Sequence, residues 1–345
     1  MLETVTTTKF PTLPALTTGL NSILNANGTR FGKVTIISRE QMEEGSFPKE
    51  LVTCQVEDGR SLQLFCKYTA GYSHASHGHR GGVPYEAEVY RHVLQPLRVS
   101  TPSFHGMHTG PDRDDVWFVL EYIPNTLRLN QPDDPDMAMV VAASWLGRFH
   151  ARAEKRLPAP AIVSTYDAEY YRGWSERTLE FARATGVEAK WLAPLCAQFE
   201  EIGPQILSTH PTVIHGEFYP RNILFRDYRI FPVDWESAAI AAGEIDLVTM
   251  TDCWDDEVTG RCVTAYQIGR WPHGVPADFD QRMTWARLYL QLRWLGDCGR
   301  ADWWCASCRR LRNGSAQNSA QIDNESIWRL DELRTAGEQL GLIQA

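Results

Sequence analysis

The stretch VIHGEFYPRNILF (residues 213–225) interrupts an apolar run with His215, Gly216 and Glu217, and then reaches Asn222 inside a second apolar patch. A further stretch, IFPVDWES (230–237), begins eight residues after Asn222 and contains Asp234. Apolar runs separated by such a break are typical of strands joined by a loop. We therefore predict a loop that carries an imidazole, a carboxylate and a carboxamide, followed by a strand that ends at Asp234.

Composition limits the class of protein. The chain has 345 residues, which is enough for two globular lobes with their own cores. The net charge is −9 and the pI is near 5.6, which argues against nucleic acid or an anionic membrane as a partner. We find no signal-peptide core at the N-terminus and no apolar window of membrane-spanning length. We expect a cytoplasmic monomer or homodimer without nucleic-acid or membrane partners.

Two groups of potential metal ligands have simpler interpretations than metal binding. Cys305 and Cys308 have the CxxC spacing of a metal site or a redox pair, but too few further ligands lie close by. A helical turn with reduced thiols is the favoured interpretation, as are reduced core thiols for most other cysteines. His74, His77 and His79 stand in a Gly/His-rich loop, where we expect solvated histidines and assign no function.

The order of elements predicts an α+β protein. Over residues 33–68, alternating segments separated by turns predict an antiparallel meander, and one helix and a buried strand follow it. The rest of the chain is mainly helical, with a helix over 279–296 that is apolar on most sides and therefore expected to be buried. We expect a small sheet-containing lobe, with the interlobe strand, over residues 1–123 and a larger helical lobe over 124–345.

The side chains of the loop and the strand suit phosphoryl transfer. Asn222 and Asp234 offer hard oxygen ligands for Mg²⁺, while phosphate oxygens fill much of the remaining coordination shell. Glu217 is placed where an acceptor hydroxyl would arrive, so it would orient that hydroxyl and take its proton late. His215 would hold the loop through hydrogen bonds. The plainer alternatives are a turn former for Asn222 and a loop cap for Asp234.

Several segments, in this order, resemble the aminoglycoside phosphotransferase and choline kinase family, which is distantly related to protein kinases. They are LFCKY (64–68), YEAEVY (85–90), LGRFHA (146–151), HGEFYPRNILF (215–225) and VDWESAAIAAGEIDLV (233–248). The resemblance implies a bilobal protein-kinase-like fold. It also implies a Mg²⁺-dependent kinase that transfers the γ-phosphoryl of ATP or GTP to a hydroxyl of a small metabolite or amino sugar.

The resemblance also assigns the nucleotide-binding residues. Lys67 resembles the strand lysine that holds the nucleotide phosphates, and Glu86 resembles the helix glutamate that pairs with it. The segment from Glu121 to Ile123 resembles the interlobe segment whose backbone receives adenine. The turn EEGSFPKE is poorer in glycine than is usual in the family. Its backbone N–H groups and the Ser46 hydroxyl can still lie over phosphate.

The catalytic loop departs from the family at one residue. Asn222 and Asp234 resemble the metal ligands, and Asp246 in GEIDL resembles the buried carboxylate that braces the loop. Where the family usually has Asp, this chain has Glu217, whose extra methylene moves the carboxylate by about 1 Å or more, a shift that can cost roughly 100-fold in rate. We favour an active kinase, because the nucleotide and metal residues are kept. The alternatives are a catalytically weak, nucleotide-binding regulatory module and a related nucleotidyl transferase.

The acceptor is specified less well than the nucleotide. The segment DCWDDEVTG (252–260) resembles a part of the family that contributes to the substrate cleft. Asp252, Asp255 and Asp256 would attract a cationic amino sugar or a choline-like ammonium, and Trp254 would supply a cation–π face. The alternative is an acidic, solvent-facing loop, and a neutral sugar or nucleoside hydroxyl also stays open.

Overall fold

The computed structural model describes residues 10–26, 31–42, 47–69, 80–110, 115–158, 161–297 and 324–344. The chain divides into two compact units, and the division is not a single cut in the sequence. Unit 1 comprises residues 1–75, 80–131 and 222–237, and unit 2 comprises residues 76–79, 132–221 and 238–345. The segment 222–237 is thus grouped with the N-terminal sheet, and the predicted boundary after residue 123 stays a prediction.

A five-stranded antiparallel sheet forms the centre of unit 1. Its strands are β1 (Thr35–Met42), β2 (Lys49–Gln55), β3 (Ser61–Tyr68), β4 (Phe104–Thr109) and β5 (Val116–Glu121), in the order β1-β2-β3-β5-β4. The predicted meander is confirmed, because β2 pairs antiparallel with both β1 and β3. Strand β5 lies between β3 and β4 and is buried along nearly its whole length, which explains its unbroken apolar sequence.

Two helical segments belong to unit 1. Helix α1 (Leu13–Leu24) begins at Thr12, whose hydroxyl accepts a hydrogen bond from the Ala15 N–H. The buried residues of α1 recur at helical spacing and join the core of the sheet. The second segment consists of α2 (Gly82–Val89), a π-helical turn (Tyr90–Leu94) and α3 (Gln95–Leu97). The helix predicted after the meander is thus confirmed, whereas α1 was not predicted.

A hairpin in unit 1 contains parts of the stretches 213–225 and 230–237. Strand β9 (Ile223–Arg226) pairs antiparallel with β10 (Arg229–Pro232) and with β6 (Leu127–Arg128). Both residues of the intervening turn, Asp227 and Tyr228, have positive φ (50° and 56°), which is the conformation of a type I′ hairpin turn. Ile223 faces Pro232, so the residues just before β9 and just after β10 are brought together.

Unit 2 is mainly helical. Its helices are α4 (Pro135–Glu154), α5 (Ala168–Thr185), α6 (Leu192–Leu207), α7 (Glu244–Thr251), α8 (Asp256–Arg270), α9 (Phe279–Gly296) and α10 (Asn324–Gln339). A small sheet has the order β7-β11-β8 and consists of β7 (Ser164–Thr165), β8 (Pro211–Ile214) and β11 (Ala239–Ala242). The predicted helix over 279–296 is confirmed as α9. Most of its residues are buried, and they include Arg282 and Arg293.

Some predicted features lie outside the described residues. These are Ser46, the histidine loop with His74, His77 and His79, and the CxxC pair Cys305 and Cys308. The described cysteines form no disulfides, and all but Cys253 are buried. Among the described residues, no helix has the length and apolar character needed to cross a membrane.

Candidate active site

Lys67 lies at the centre of a charge cluster in unit 1. Its Nζ atom is 2.7 Å from Glu86 Oε2 and 2.5 Å from Asp234 Oδ1. Lys67 belongs to β3 and Glu86 to α2, while Asp234 follows β10. The lysine and Glu86 are buried, whereas the Asp234 side chain is 39 % exposed. The fold of unit 1 therefore brings together three of the residues that the sequence singled out.

Burial and charge act in opposite directions on this cluster. Burial alone lowers the pKa of Lys67, but the carboxylates of Asp234, Glu86 and Glu236 outweigh it and hold this pKa well above its usual range. Burial raises the pKa of Glu86 to about 7, although Lys67 acts to lower it. The 2.7 Å contact with the ammonium group is the arrangement of an ionised Glu86. A cluster this rich in carboxylates favours the approach of a further cation.

Glu86 also ties the hairpin to the helix. Its second oxygen, Oε1, accepts a hydrogen bond of 3.1 Å from the N–H of Trp235, the residue directly after Asp234. Asp234 has a φ of 72°, in the left-handed region that residues other than glycine rarely adopt. Such strain persists where the surroundings hold it, and it concentrates at functional sites. Glu86 accepts the backbone N–H next to Asp234, and Lys67 contacts the Asp234 side chain. Together these contacts stabilise the strained backbone conformation.

Asn222 and Asp234 stand at the open end of the hairpin. The C=O of Asn222 accepts a hydrogen bond of 2.9 Å from the N–H of Val233. Carboxamide and carboxylate oxygens are hard ligands, and Mg²⁺ commonly takes one or two of them and completes its shell with phosphate and water. Among the described residues, no three His, Cys, Asp or Glu side chains form a metal cluster. The oxygen ligands that the pair offers are of the kind that Mg²⁺ takes.

In unit 2, the segment from His215 to Glu217 follows β8 and is braced by Asp246 of α7. The two oxygens of Asp246 accept hydrogen bonds from the backbone N–H groups of His215 (2.6 Å) and Gly216 (2.9 Å). Gly216 has a φ of 79°, which glycine adopts without strain. The His215 ring accepts the N–H of Glu217 at Nδ1, at 3.3 Å. These contacts hold the backbone that presents Glu217.

A buried hydrogen-bond chain continues behind Asp246. His150 of α4 lies with Nε2 3.3 Å from Asp246 Oδ2 and with Nδ1 3.0 Å from the Tyr266 hydroxyl, which also accepts a 2.6 Å hydrogen bond from Arg270. An ionised carboxylate only accepts, so His150 donates through Nε2 and receives the Tyr266 proton at Nδ1. Burial lowers the pKa of His150, which favours this neutral form. His150 lies in the LGRFHA segment, but nothing in the sequence identified it as a support of the loop.

Glu217 is buried and paired with Arg293 of α9, a residue that sequence reasoning missed. Arg293 Nη2 is 2.6 Å from Glu217 Oε1, and Nη1 donates to the Gly216 C=O at 2.5 Å. Burial alone lowers the pKa of Arg293, but Tyr219, Tyr289 and Glu217 hold it well above its usual range. The available signal was an arginine between apolar residues, Leu292 and Trp294, of a helix expected to be buried, since a buried charge requires a partner. Only the packing identifies that partner.

The predicted adenine segment lies at the end of β5. The N–H of Glu121 donates to the Ser103 C=O at 2.8 Å, and the Glu121 side chain accepts the Ser103 hydroxyl at 2.8 Å. Ile123 is buried, and its C=O accepts the Thr126 hydroxyl at 3.3 Å. These hydrogen bonds are formed within the chain and give no information about adenine. The role of the segment in nucleotide binding therefore stays a prediction.

The predicted acceptor residues begin at the end of α7. Asp252 forms an ion pair of 2.8 Å with the buried Arg329 of α10. Asp255 caps α8 by accepting a backbone N–H of its first turn at 2.9 Å. Asp256 is exposed and Trp254 is half-buried. Helix capping and ion pairing therefore account for two of the four residues without a ligand, and the acceptor role stays a prediction.

A family model described as a phosphotransferase enzyme family matches residues 68–292, about two thirds of the chain. The matched segment includes Glu86, Glu217, Asn222 and Asp234, and it begins directly after Lys67. No curated protein matches the sequence. The match confirms that the predicted enzyme is a phosphotransferase.

Solved structures share the fold at low sequence identity. LicA in complex with AMP, a protein also solved as a choline kinase from Streptococcus pneumoniae, is 12 % identical with a TM-score of 0.56, covering 94 % of this chain and 98 % of that chain. The GDP complex of aminoglycoside 2'-phosphotransferase-IIIa is 14 % identical with a TM-score of 0.51, covering 96 % and 100 %. Macrolide 2'-phosphotransferase MphH from Brachybacterium faecium is 18 % identical with a TM-score of 0.54, covering 88 % and 100 %.

These likenesses confirm the predicted α+β fold of the protein-kinase type. At such identities they establish the fold alone, and it is the family model, matched over most of the chain, that establishes kinship. The chain therefore belongs to the phosphotransferase enzyme family.

Proposed function

We propose that the protein transfers the γ-phosphoryl group of a nucleoside triphosphate, ATP in the first instance, to a hydroxyl of a small metabolite or amino sugar. The observation that carries this proposal is the position of Lys67, held between Glu86 and Asp234 in unit 1. A buried ammonium group next to an exposed carboxylate provides one group for nucleotide phosphates and one for a metal ion.

The nucleotide is proposed to bind through Lys67, with the backbone of the Glu121–Ile123 segment receiving the base and Ser46 contributing to the phosphate turn. The AMP complex of LicA and the GDP complex of the aminoglycoside phosphotransferase support a purine nucleotide. They do not favour one purine over the other, so GTP is the alternative donor. Lys67 is held cationic by its carboxylate neighbours, which suits a phosphate contact.

Asn222 and Asp234 are the residues proposed to hold Mg²⁺, since both offer oxygen atoms at the open end of the hairpin. When bound there, Mg²⁺ supplies charge neutralisation on the phosphate oxygens. Residues of the chain itself hold Asp234 in position. Lys67 fixes the Asp234 carboxylate at 2.5 Å, and Glu86 fixes the backbone that follows it.

Glu217 is proposed to orient the acceptor hydroxyl. Its carboxylate is ion-paired with Arg293 at 2.6 Å, which holds one of its oxygens in place. Catalysis of phosphoryl transfer is dominated by positioning, so the main contribution of Glu217 is to position the hydroxyl, and it accepts the proton late, when the oxygen already bonds to phosphorus. His215 supports this group through the backbone.

The acceptor is proposed to be a small hydroxylated molecule. The relatives named above are a choline kinase, an aminoglycoside phosphotransferase and a macrolide phosphotransferase, so the shared feature is an alcohol group rather than one skeleton. Asp256 and Trp254 are the acceptor candidates whose side chains are not committed to capping or ion pairing by the contacts described above. A cationic acceptor would use them through charge and cation–π attraction.

The test is a screen for Mg²⁺-dependent nucleotide consumption. The purified protein is incubated with ATP or GTP and a panel of aminoglycosides, macrolides, choline and sugars, and products are identified by mass spectrometry. Lys67→Ala is the inactive reference, and Lys33→Ala, at an exposed lysine of the same unit, is its matched control. Transfer of one phosphoryl group that Lys67→Ala loses and Lys33→Ala keeps supports the proposal. Equal turnover in both variants refutes the role of Lys67.

A second candidate function is a nucleotide-binding regulatory module with little turnover. The burial of Glu217 against Arg293 favours it, because a carboxylate that is enclosed and already paired with a cation is less accessible to an acceptor hydroxyl. Binding of Mg·ATP without turnover of any acceptor would support the module. A product that carries a nucleotidyl group would instead identify a nucleotidyl transferase.

A further inference from the structure

We propose that Arg293 is a positioning residue that bridges the Gly216 carbonyl and the Glu217 carboxylate, and that this bridge is the reason for glutamate at position 217. The inference rests on the proposed role of Glu217 in orienting an acceptor. Arg293 donates through Nη1 to Gly216 at 2.5 Å and through Nη2 to Glu217 at 2.6 Å. One side chain thereby holds both the backbone and the side chain of the catalytic loop.

The guanidinium group suits this bridge better than any other cation. Its donors lie in one plane at fixed angles, so that one arm reaches a carbonyl while the other reaches a carboxylate. A lysine ammonium is a single point of charge on a flexible stem and would not hold both partners in one geometry. Arg293 emerges from α9, whose burial on most sides leaves the side chain little freedom.

The length of the residue at position 217 decides whether the bridge closes. Aspartate is shorter than glutamate by one methylene, which withdraws the carboxylate by about 1.5 Å. The 2.6 Å contact with Arg293 would then open beyond hydrogen-bonding distance. Glutamate and Arg293 thus form a matched pair, and the departure from the family's aspartate is explained by a partner on another helix.

Burial makes the two residues depend on each other. Arg293 has 4 % of its surface exposed and Glu217 has 1 %. Removing one member of a buried ion pair leaves the other charged and without its partner, which is far more damaging than removing both. The pair therefore behaves as a unit, and its two members should show strongly non-additive effects when they are changed separately and together.

The positioning role is tested by comparing Arg293→Gln, Arg293→Lys and Arg282→Gln with the wild type. Arg282 is the matched control, because it is equally buried on α9 but pairs with Glu244 at 3.1 Å, away from the 215–217 segment. With Mg·ATP and the acceptor found in the screen, Arg293→Gln should lower kcat by about 100-fold and leave the KM for ATP within about twofold. Arg293→Lys should recover part of kcat, and Arg282→Gln should keep it, although it lowers Tm.

A second arm measures the bridge without activity. Glu217→Asp should lower Tm by about 5 °C in the wild type and by less than about 1 °C when Arg293 is already glutamine. Equal shifts in the two backgrounds would refute the bridge, and equal kcat in Arg293→Gln and Arg282→Gln would refute the positioning role. A wild type without turnover of any acceptor would refute the proposed function and its positioning role, while the Tm cycle still decides whether the bridge exists.

Discussion

Replacing Asp246 by asparagine is the sharpest test of how the catalytic loop is held. The carboxylate accepts three hydrogen bonds, from the N–H groups of His215 and Gly216 and from the ring of His150. The asparagine side chain keeps the shape of the aspartate but turns one of the two oxygens into an NH₂ donor. In either orientation of the asparagine amide, at least one of the three N–H groups then faces the NH₂ group, which is also a donor.

The expected cost follows from counting these bonds. One buried N–H without an acceptor costs about 1–3 kcal/mol, and each remaining bond loses the benefit of a charged acceptor, about 1 kcal/mol. The sum is about 3–5 kcal/mol, and water cannot replace the missing acceptor because Asp246 is fully buried. For a unit of roughly 200 residues, this lowers Tm by about 6 °C or more.

The assay is thermal unfolding followed by tryptophan fluorescence, supported by urea unfolding at one temperature. Asp280→Asn is the control, because this aspartate is exposed in the first turn of α9 and should change stability by less than about 0.5 kcal/mol. An Asp246→Asn protein within about 1 kcal/mol of the wild type would refute the brace. The same variant should also lose phosphoryl transfer, because the Glu217 backbone is no longer held.

Three further substitutions test the proposed chemistry. Lys67→Ala should abolish the rise of Tm on addition of Mg·ATP, and a normal rise would refute the phosphate contact. Asp234→Asn should remove Mg²⁺-dependent activity by taking a charge from the metal shell, and an unchanged Mg²⁺ titration would contradict it. Glu217→Gln should lower kcat by about 100- to 10,000-fold with little change in nucleotide KM. Glu217→Asp should also lower the rate, and a gain would indicate a decayed enzyme.

The fold was predictable where the periodicity of the sequence is local. Alternation over 33–68 and the apolar run of 279–296 specified the meander and α9, because each pattern is confined to one element. Helix α1 was missed although its signals are present, namely the Thr12 cap and apolar residues at helical spacing. The grouping of the hairpin 222–237 with the N-terminal sheet was not predictable from local pattern, because it depends on packing between distant segments.

The site was predictable only in part. The meeting of Lys67 with Glu86 was expected from the resemblance, and the structure brings the two within 2.7 Å. Arg293 and His150 were not identified, because each lies in a helical segment where a single charge or imidazole does not belong to a recognisable motif. Their functions come from partners far away in sequence, and sequence spacing holds no information about such contacts.

Asp234 in unit 1 and Glu217 in unit 2, the two carboxylates of the proposed function, are held in the same way. A buried cation pairs with it, while a second carboxylate, Glu86 or Asp246, accepts backbone N–H groups next to it. The two sites differ in burial, because Asp234 is 39 % exposed whereas Glu217 is enclosed with its partner. Water can therefore hydrogen-bond to the groups that a substitution of Asp234 leaves unpaired more readily than to those around Glu217. Substitutions at Asp234 should accordingly change rate far more than stability, whereas substitutions at Glu217 should change both together.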